Sequence, residues 1–492
     1  MQTQSNSLTK SVNKHMDGVK MPHRSPLLDR QGDQVCATLN LVVPLAHEAT
    51  DMRTADTTDG VQDWSGAVSP LIGESLLQGD VDSTNGRSTR TIPIMRGTRI
   101  SATATRTTTT RSIVSEHAPS AAYGDAGISP FSFEELVKAY FDCRKSKRNT
   151  PSALAFEQNL ERNLIRLNDD LLDGSYAPGR SVCFIVTRPK AREVWAADFR
   201  DRVVHHLLYN RISPRFYASF IPDSCACIPG RGTMYAGKRL ESKIRSASQN
   251  WSKPTFYLKM DLANFFVSID KEVLRGQIAA RVTESWWMAL VDTILFHDPR
   301  LNFELRGSPD LMERVPPHKR LHNQPAHLGL PIGNLSSQFF ANIYLDALDQ
   351  FVKHQIRAKY YIRYVDDFLL LNDSPAELNN ALNRINNFVE TRLHVKLNPT
   401  KTILQPVARG VDFVGHVIKP WVRTTRRRTF NEALSRIAGV DASDVFTTAN
   451  SYFGLLRQAG ASHIDRAKIA NAVLRRGHVV NKEFTKTFRR SL

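Results

Sequence analysis

The sequence predicts an α+β chain: a mixed unit of short strands and helices, followed by a basic, all-helical unit. Three patterns carry that reading. Apolar residues recur at helical spacing in "SFEELVKAYFDCRKSKRNTPSALAFEQNLERNLIRLNDDLLDGSY", at Leu154, Phe156, Leu160, Leu164, Leu167 and Leu171, and the run closes at Gly174. Farther on, short apolar runs bounded by turn residues read as strands. From about Trp421 the helical pattern returns, with 14 Lys/Arg against 5 Asp/Glu.

Residues 1–128 come first and look different from the rest. The stretch "STRTIPIMRGTRISATATRTTTTRSIVSEHAPSAAYGDAGIS" is rich in Thr, Ser, Arg, Ala and Gly and has little periodicity. Such a segment buries too little apolar surface to offset its ordering entropy, so disorder is expected. A flexible arm that touches RNA and an over-long reading of the gene start both remain open. Residues 129–255 open with the helices just described, and Arg144, Lys145, Lys147 and Arg148 precede the second of them. "VCFIVTRPKAREVWAADF" then reads as two strands about a turn at Pro189-Lys190-Ala191, and "FRDRVVHHLLYNRISPRFYASF" as a helix. In residues 256–420, "PTFYLKMDLANFFVSID" is an apolar strand entering a short helix. "LSSQFFANIYLDALDQFVKHQ" is expected to be an amphipathic helix, with Phe339, Ile343, Leu348 and Phe351 on one side. "YIRYVDDFLLL" reads as a hairpin, "ELNNALNRINNFVETRL" as a helix and "VDFVGHVI" as a strand pair. Residues 421–492 form the helical tail, and the chain has no internal repeats.

Composition narrows the functional classes. The 492 residues carry a formal net charge of +18, with 41% hydrophobic residues, enough for a sizeable core. The charge is uneven: residues 1–128 hold 12 Lys/Arg and 13 Asp/Glu, whereas residues 129–492 hold 54 and 35. A unit with a net charge of +19 points to a polyanionic partner, nucleic acid above all, with a solubilising surface as the alternative. Five cysteines (Cys36, Cys143, Cys183, Cys225, Cys227) show no zinc-ligand spacing and are expected as free thiols in a reducing cytoplasm. No apolar run is long enough to cross a membrane, and no secretory signal is expected.

The chemistry centres on Asp366 and Asp367, two carboxylates between apolar runs. Charges are costly to bury unless paired or bound to a metal. Alone, the two could be a solvated turn. The upstream strand "YLKMDLANFF" ends at Asp261, which adds a third carboxylate at the same kind of strand edge. Hard oxygen ligands of this kind suit Mg²⁺, or Mn²⁺. Two such ions can activate an attacking hydroxyl and stabilise a leaving pyrophosphate, which is nucleotidyl transfer.

The segments "MDLANFF", "GLPIGNLSSQFFANIYL", "YVDDFLLL", "LNPTKT" and "FVGHVI" occur in the order of the palm motifs of reverse transcriptases, and the chain resembles that family over about residues 135–480. The resemblance implies a right-hand polymerase fold: fingers and N-terminal helices at 129–255, a palm with the catalytic carboxylates at 256–420, and a helical thumb at 421–492. Ile332-Gly333-Asn334-Leu335-Ser336-Ser337-Gln338 stands where intron-encoded and retron-like enzymes carry Gln-Gly and Ser-Pro pairs. That loop and the tail "NSYFGLLRQAGASHIDRAKIANAVLRRGH" are similar to the reverse transcriptases of diversity-generating retroelements. Those enzymes copy a template-repeat RNA with errors at adenines, and the cDNA rewrites a variable protein gene.

Site roles follow from the resemblance motif by motif. Asp261, Asp366 and Asp367 are the implied ligands of two Mg²⁺ ions, with Asp367 the more peripheral. Phe266 falls at the steric gate against a ribose 2′-hydroxyl, with an ordinary core phenylalanine as the alternative. Lys190 and Arg192 match residues that grip the incoming dNTP. Gly333 and Gln338 shape its pocket, Gly333 by letting backbone approach a base. Arg231 contacts template or triphosphate, or is a solvated loop residue. Ile332, lacking hydrogen-bonding groups, fits relaxed checking of the templating pair. Lys401 resembles a general acid for pyrophosphate, with a surface lysine as the alternative, and Phe413 and Gly415 lie in the primer grip. The basic tail, densest at "TTRRRTF" (424–430), would track an RNA–DNA hybrid through its phosphates. The implied partners are template RNA, dNTPs and a small basic oligomeric accessory protein, in a bacterial or phage-encoded setting. Two other readings stay open: an antiphage-defence reverse transcriptase, and a non-catalytic, maturase-like RNA-binding protein.

Overall fold

The computed structural model describes residues 129–145, 150–188 and 190–488. The expectation for residues 1–128, and those for Lys147, Arg148 and Pro189, lie outside the described residues.

Three helices open the described chain: α1 (Phe133–Arg144), α2 (Pro151–Glu157) and α3 (Leu160–Leu172). Ser132 starts α1 with a capping box, accepting from the Glu135 amide while the Glu135 carboxylate accepts from the Ser132 amide. The hairpin β1 (Ser181–Val186) and β2 (Arg192–Ala196) follows, then α4 (Phe199–Tyr217) and α5 (Thr233–Ala247). Next come β3 (Phe256–Asp261), a one-turn helix at Phe265–Ser268, α6 (Lys271–Ala279), α7 (Ser285–Phe296) and β4 (Phe303–Arg306). β4 runs parallel to β1, with Ser181 opposite Phe303. The sequence reading had no strand there, because "FELR" is short and only half-buried.

The central helix α8 (Leu335–Gln350) corrects the expected amphipathic pattern. Besides its apolar side it buries Ser336, Ser337, Asn342, Asp346 and Asp349. The helix is enclosed by α4, α6 and the sheet, so its polar positions are covered as well and must find partners inside the protein. After it come β5 (Tyr360–Tyr364), β6 (Asp367–Asn372), α9 (Pro375–Arg392) and β7 (Ile403–Pro406).

Strands β5-β6-β3-β7 form one antiparallel sheet. Both of its faces are buried. Leu258, Met260, Tyr361, Phe368 and Leu370 join the large core with α4, α8 and α9. Tyr257, Ile362, Leu369 and Leu371 pack on the other side, against α5 and the next small sheet. Two covered faces explain why "FLLL" is continuously apolar rather than alternating.

That small sheet is β8 (Val411–Phe413), β9 (His416–Lys419) and β10 (Val422–Thr425). β10 lies where the sequence reading expected only helix. The tail then forms α10 (Arg427–Gly439), α11 (Ala442–Leu456) and α12 (His463–Arg475) around a core of its own that includes Phe430, Ile437, Phe453, Leu456 and Val473. A two-residue ladder, β11 (Val479–Val480) with β12 (Thr487–Phe488), closes the described chain. The bundle is tied to α5 by Thr233 Oγ1, 2.7 Å from Gln458 Oε1, and β10 is tied to α5 by the Arg423–Glu241 ion pair at 3.1 Å.

Candidate active site

Antiparallel pairing of β3 with β6 sets Asp261 directly opposite Asp367. β5 and β6 pair Tyr364 with Asp367, so Val365 and Asp366 form a two-residue turn at the same sheet edge. The strand reading of both motifs therefore brings all three carboxylates to one end of the sheet. The Asp366 carbonyl accepts from the Leu262 amide at 3.2 Å, and the Asp261 carbonyl accepts from the Asn398 amide at 2.7 Å.

Burial and mutual repulsion act on these groups together. The Asp366 carboxyl is pushed up to about 6, first by burial and then by Asp261, against the pull of Lys401 and Arg192. Asp367 also rises to about 6 through burial, partly countered by Lys259. Lys259 Nζ stands 3.0 Å from Asp367 Oδ2, and Lys401 Nζ stands 2.6 Å from Asp261 Oδ1. Asp367 Oδ1 is buried with no hydrogen-bond partner. Hard oxygen donors, raised carboxylate pKa values and an orphaned buried oxygen are the features that a divalent cation would resolve, so the donor set fits one. As the side chains stand, no three His, Cys, Asp or Glu residues are grouped to hold an ion, among the described residues. Two of the carboxylates are instead paired with lysines, Asp367 with Lys259 and Asp261 with Lys401.

Facing the carboxylates is a group of cations. Lys190 and Arg192 are exposed at the β1–β2 turn. The Lys190 ammonium is depressed by burial and by the neighbouring charges of Lys401, Lys319, Arg192 and Arg428. Four separated segments thus bring positive charge within electrostatic reach of Lys190. Lys319 was not singled out from the sequence, because it lies in no motif that names it, whereas Arg428 belongs to the basic run 424–430.

The remaining expected residues fall into different surroundings. Phe266 is half-buried beside the Phe265 ring at 5.4 Å, and its carbonyl accepts from the Leu330 amide at 2.8 Å. The Ile332 carbonyl accepts from the Trp195 amide at 2.7 Å, which docks this loop on β2. Gly333 has φ +130°, and a Cβ there would lie 2.9 Å from the Trp195 carbonyl oxygen. The close approach seen at Gly333 is to β2. Gln338 is half-buried on α8. Arg231 is no solvated loop residue: its Nη1 donates to the Ile221 and Ser224 carbonyls, both at 2.7 Å. Those bonds commit one nitrogen to holding its own loop. Phe413 is 0% exposed, and the Val414-Gly415 turn has positive φ at both residues, 45° and 87°, the sign pattern of a type I′ hairpin.

Lys259 was missed altogether. Besides Asp367, it donates to the Asp412 carbonyl at 2.9 Å, and its ammonium lies 5.9 Å from the Phe413 ring centroid. It therefore links the carboxylate edge to the 411–419 hairpin. A lone lysine inside "FYLKMD" was the available signal, since an ammonium in a doubly covered strand needs a partner.

Comparison with known proteins finds its family match over the segment that holds this site. Residues 188–418 match the family described as reverse transcriptase (RNA-dependent DNA polymerase). The chain is 21% identical over 293 residues to the protein YkfC of Escherichia coli, a match covering 51% of this chain and 69% of that one. It is 22% identical over 235 residues to a COX1/OXI3 intron 2 protein of Saccharomyces cerevisiae, covering 36% of this chain and only 25% of the relative. Among solved structures, apo telomerase from Candida tropicalis, truncated from its C-terminal domain, aligns with a TM-score of 0.37 and 11% identity, over 50% of this chain and 55% of that chain. The matched domain is that of a nucleotidyltransferase. This chain is an RNA-directed DNA polymerase, a reverse transcriptase carrying its matched domain at 188–418.

Proposed function

We propose that the chain copies a template RNA into cDNA with Asp261, Asp366 and Asp367 holding two Mg²⁺ ions, and that it does so with relaxed accuracy opposite template adenines, in the manner of diversity-generating retroelements. The observation that carries the polymerase chemistry is the meeting of three carboxylates at one sheet edge opposite a cluster of cations. When bound, the ions would lower the pKa of a primer 3′-hydroxyl and offset charge on the leaving pyrophosphate. The chain's own residues do the rest. Lys190 and Arg192 grip the triphosphate, one as a point charge and one as a fork. Lys401, half-exposed beside Asp261, is positioned to give a proton to the departing pyrophosphate. Phe266 presents a ring against a 2′-hydroxyl, and Phe413 and Gly415 lie in the hairpin that seats the primer end.

Relaxed accuracy rests on the loop 332–338, whose similarity to diversifying enzymes is joined by a structural feature. Its Ile332 is fixed by backbone to β2 at Trp195, on the strand that Arg192 begins. An apolar side chain held there has nothing to donate to, or accept from, a base pair.

Primer extension by the purified enzyme on a defined RNA, with Mg²⁺ and the small basic accessory protein, tests the reading when the cDNA is sequenced. Errors concentrated opposite adenines, lost synthesis in Asp366→Asn and lowered errors in Ile332→Gln are expected. Faithful or untemplated cDNA would replace diversification with antiphage defence. RNA binding without any synthesis would leave only the maturase-like reading.

A further inference from the structure

Arg363 lies in β5, three residues before Asp366, and is 1% exposed; its partner Asp349, on α8, is 0% exposed. A buried guanidinium has five N–H donors to satisfy. Here Nε and Nη2 grip the two Asp349 oxygens at 2.8 and 2.7 Å, and Nη2 also donates to Ser224 Oγ at 2.8 Å. Nη1 donates to Asn342 Oδ1 at 3.2 Å and to the Val365 carbonyl at 3.1 Å. All five donors are used. The Tyr361 hydroxyl adds a bond to Asp349 at 2.7 Å. The Arg363 backbone is held too, its amide donating to the Asp223 carbonyl and its carbonyl accepting from the Cys225 amide, both at 2.9 Å.

One of the five acceptors belongs to the catalytic turn. Val365 has φ +55°, a conformation in which a β-branched residue is strained and a first turn position that ordinarily takes glycine. Such a backbone persists only where its surroundings hold it. The Leu262 amide holds the turn from β3's side through the Asp366 carbonyl. From α8's side, the contact to the turn is the Arg363 guanidinium.

We infer that Arg363 is a positioning residue for polymerisation: anchored by Asp349, it clamps the Val365 carbonyl and so keeps the strained turn that presents Asp366 and Asp367 to Asp261. It touches no reacting atom. The inference rests on the carboxylate reading proposed above. The competing role is a plain staple between β5 and α8, which an apolar pair would replace without loss, since buried ion pairs are often exchangeable for well-packed hydrophobic residues.

The experiment compares wild type, Asp366→Asn and the double variant Arg363→Met/Asp349→Leu in the full chain. It reads thermal melting, Mn²⁺ binding by electron paramagnetic resonance without substrate, and primer-extension kcat and KM for dNTP. The double variant is expected to melt within a few degrees of wild type and to bind Mn²⁺ more weakly. Its kcat should fall roughly tenfold or more, as for a misplaced catalytic group, with KM within about threefold of wild type. Wild-type kcat and Mn²⁺ binding in the folded double variant overturn the inference, provided that Asp366→Asn has lost Mn²⁺. If Asp366→Asn binds Mn²⁺ as wild type does, the carboxylate reading fails and this inference falls with it. Should the double variant not fold, Ser224→Ala/Asn342→Ala removes two acceptors while leaving the Asp349 pair. Faster amide exchange at 364–367 with lower kcat then supports the clamp, and wild-type exchange and kcat overturn it.

Discussion

Gly333 shows how much a single residue can owe to a neighbour far away in sequence. Its φ of +130° disfavours side chains, and an added Cβ would sit 2.9 Å from both the Trp195 carbonyl oxygen and Val194 Cγ1. Gly333→Ala is therefore expected to cost about 2 kcal/mol or more, read as a lower denaturant midpoint at unchanged slope. At Phe266 the test is chemical. If its ring is the sugar gate, Phe266→Ala raises ribonucleotide incorporation by roughly ten- to a hundredfold in single-nucleotide extension, with little change for dNTPs. A ring that serves only the core would lower stability and leave sugar selection alone. The three aspartates were legible because each ends or begins an apolar run, where a carboxylate has no core role. The reason for Gly333 was not, since nothing in the chain announces that residues 195 and 333 touch. Lys259 and Arg363 were hidden for a related reason: a charged residue inside an apolar strand is explained only by the partner across from it.

Among the elements, the strands and helices that frame the site could be read from their periodicity, and both hairpins from their turns. The misses share a physical cause. α8 looked amphipathic because its covered polar residues resemble exposed ones until their partners are known. β4 has too few residues to show a period, and pairing with β1 makes it a strand. The 411–419 hairpin supplies an element-scale prediction. His416 on β9 is 1% exposed and packs where α5 has Gly237. Burial and then Arg423 push its pKa down to about 4. A histidine depressed from 6.5 is neutral in the fold but gains a proton on unfolding, so its contribution is intact above about pH 6.5 and is lost as pH falls toward 4. His205 and His206 act in the same direction, at about 3 and about 4. Asp366 and Asp367, raised to about 6, act oppositely and lose stability as pH rises from 4 to 6. His416→Phe should shrink the drop in melting temperature between pH 7 and pH 5; an unchanged drop would mean that His416 is already protonated in the fold.

For the molecule as a whole, the uneven charge makes a prediction of its own. Residues 129–492 carry a net +19 and residues 1–128 a net −1. Affinity for an RNA–DNA hybrid should fall by roughly a thousandfold or more between 50 and 200 mM salt, and removal of residues 1–128 should leave that slope unchanged. A shallower slope in the truncated chain would place phosphate contacts in the arm after all. The described residues contain no helix long and apolar enough to cross a membrane. The five-fold saturation of Arg363 has a consequence for descent as well. Replacing Arg363 strands a buried carboxylate, and replacing Asp349 strands a buried guanidinium, so each first step away from the pair passes through a poorly folded ancestor. Changing both positions, 14 residues apart, strands neither charge but still frees the Val365 carbonyl, so folding and catalysis together hold the pair in place.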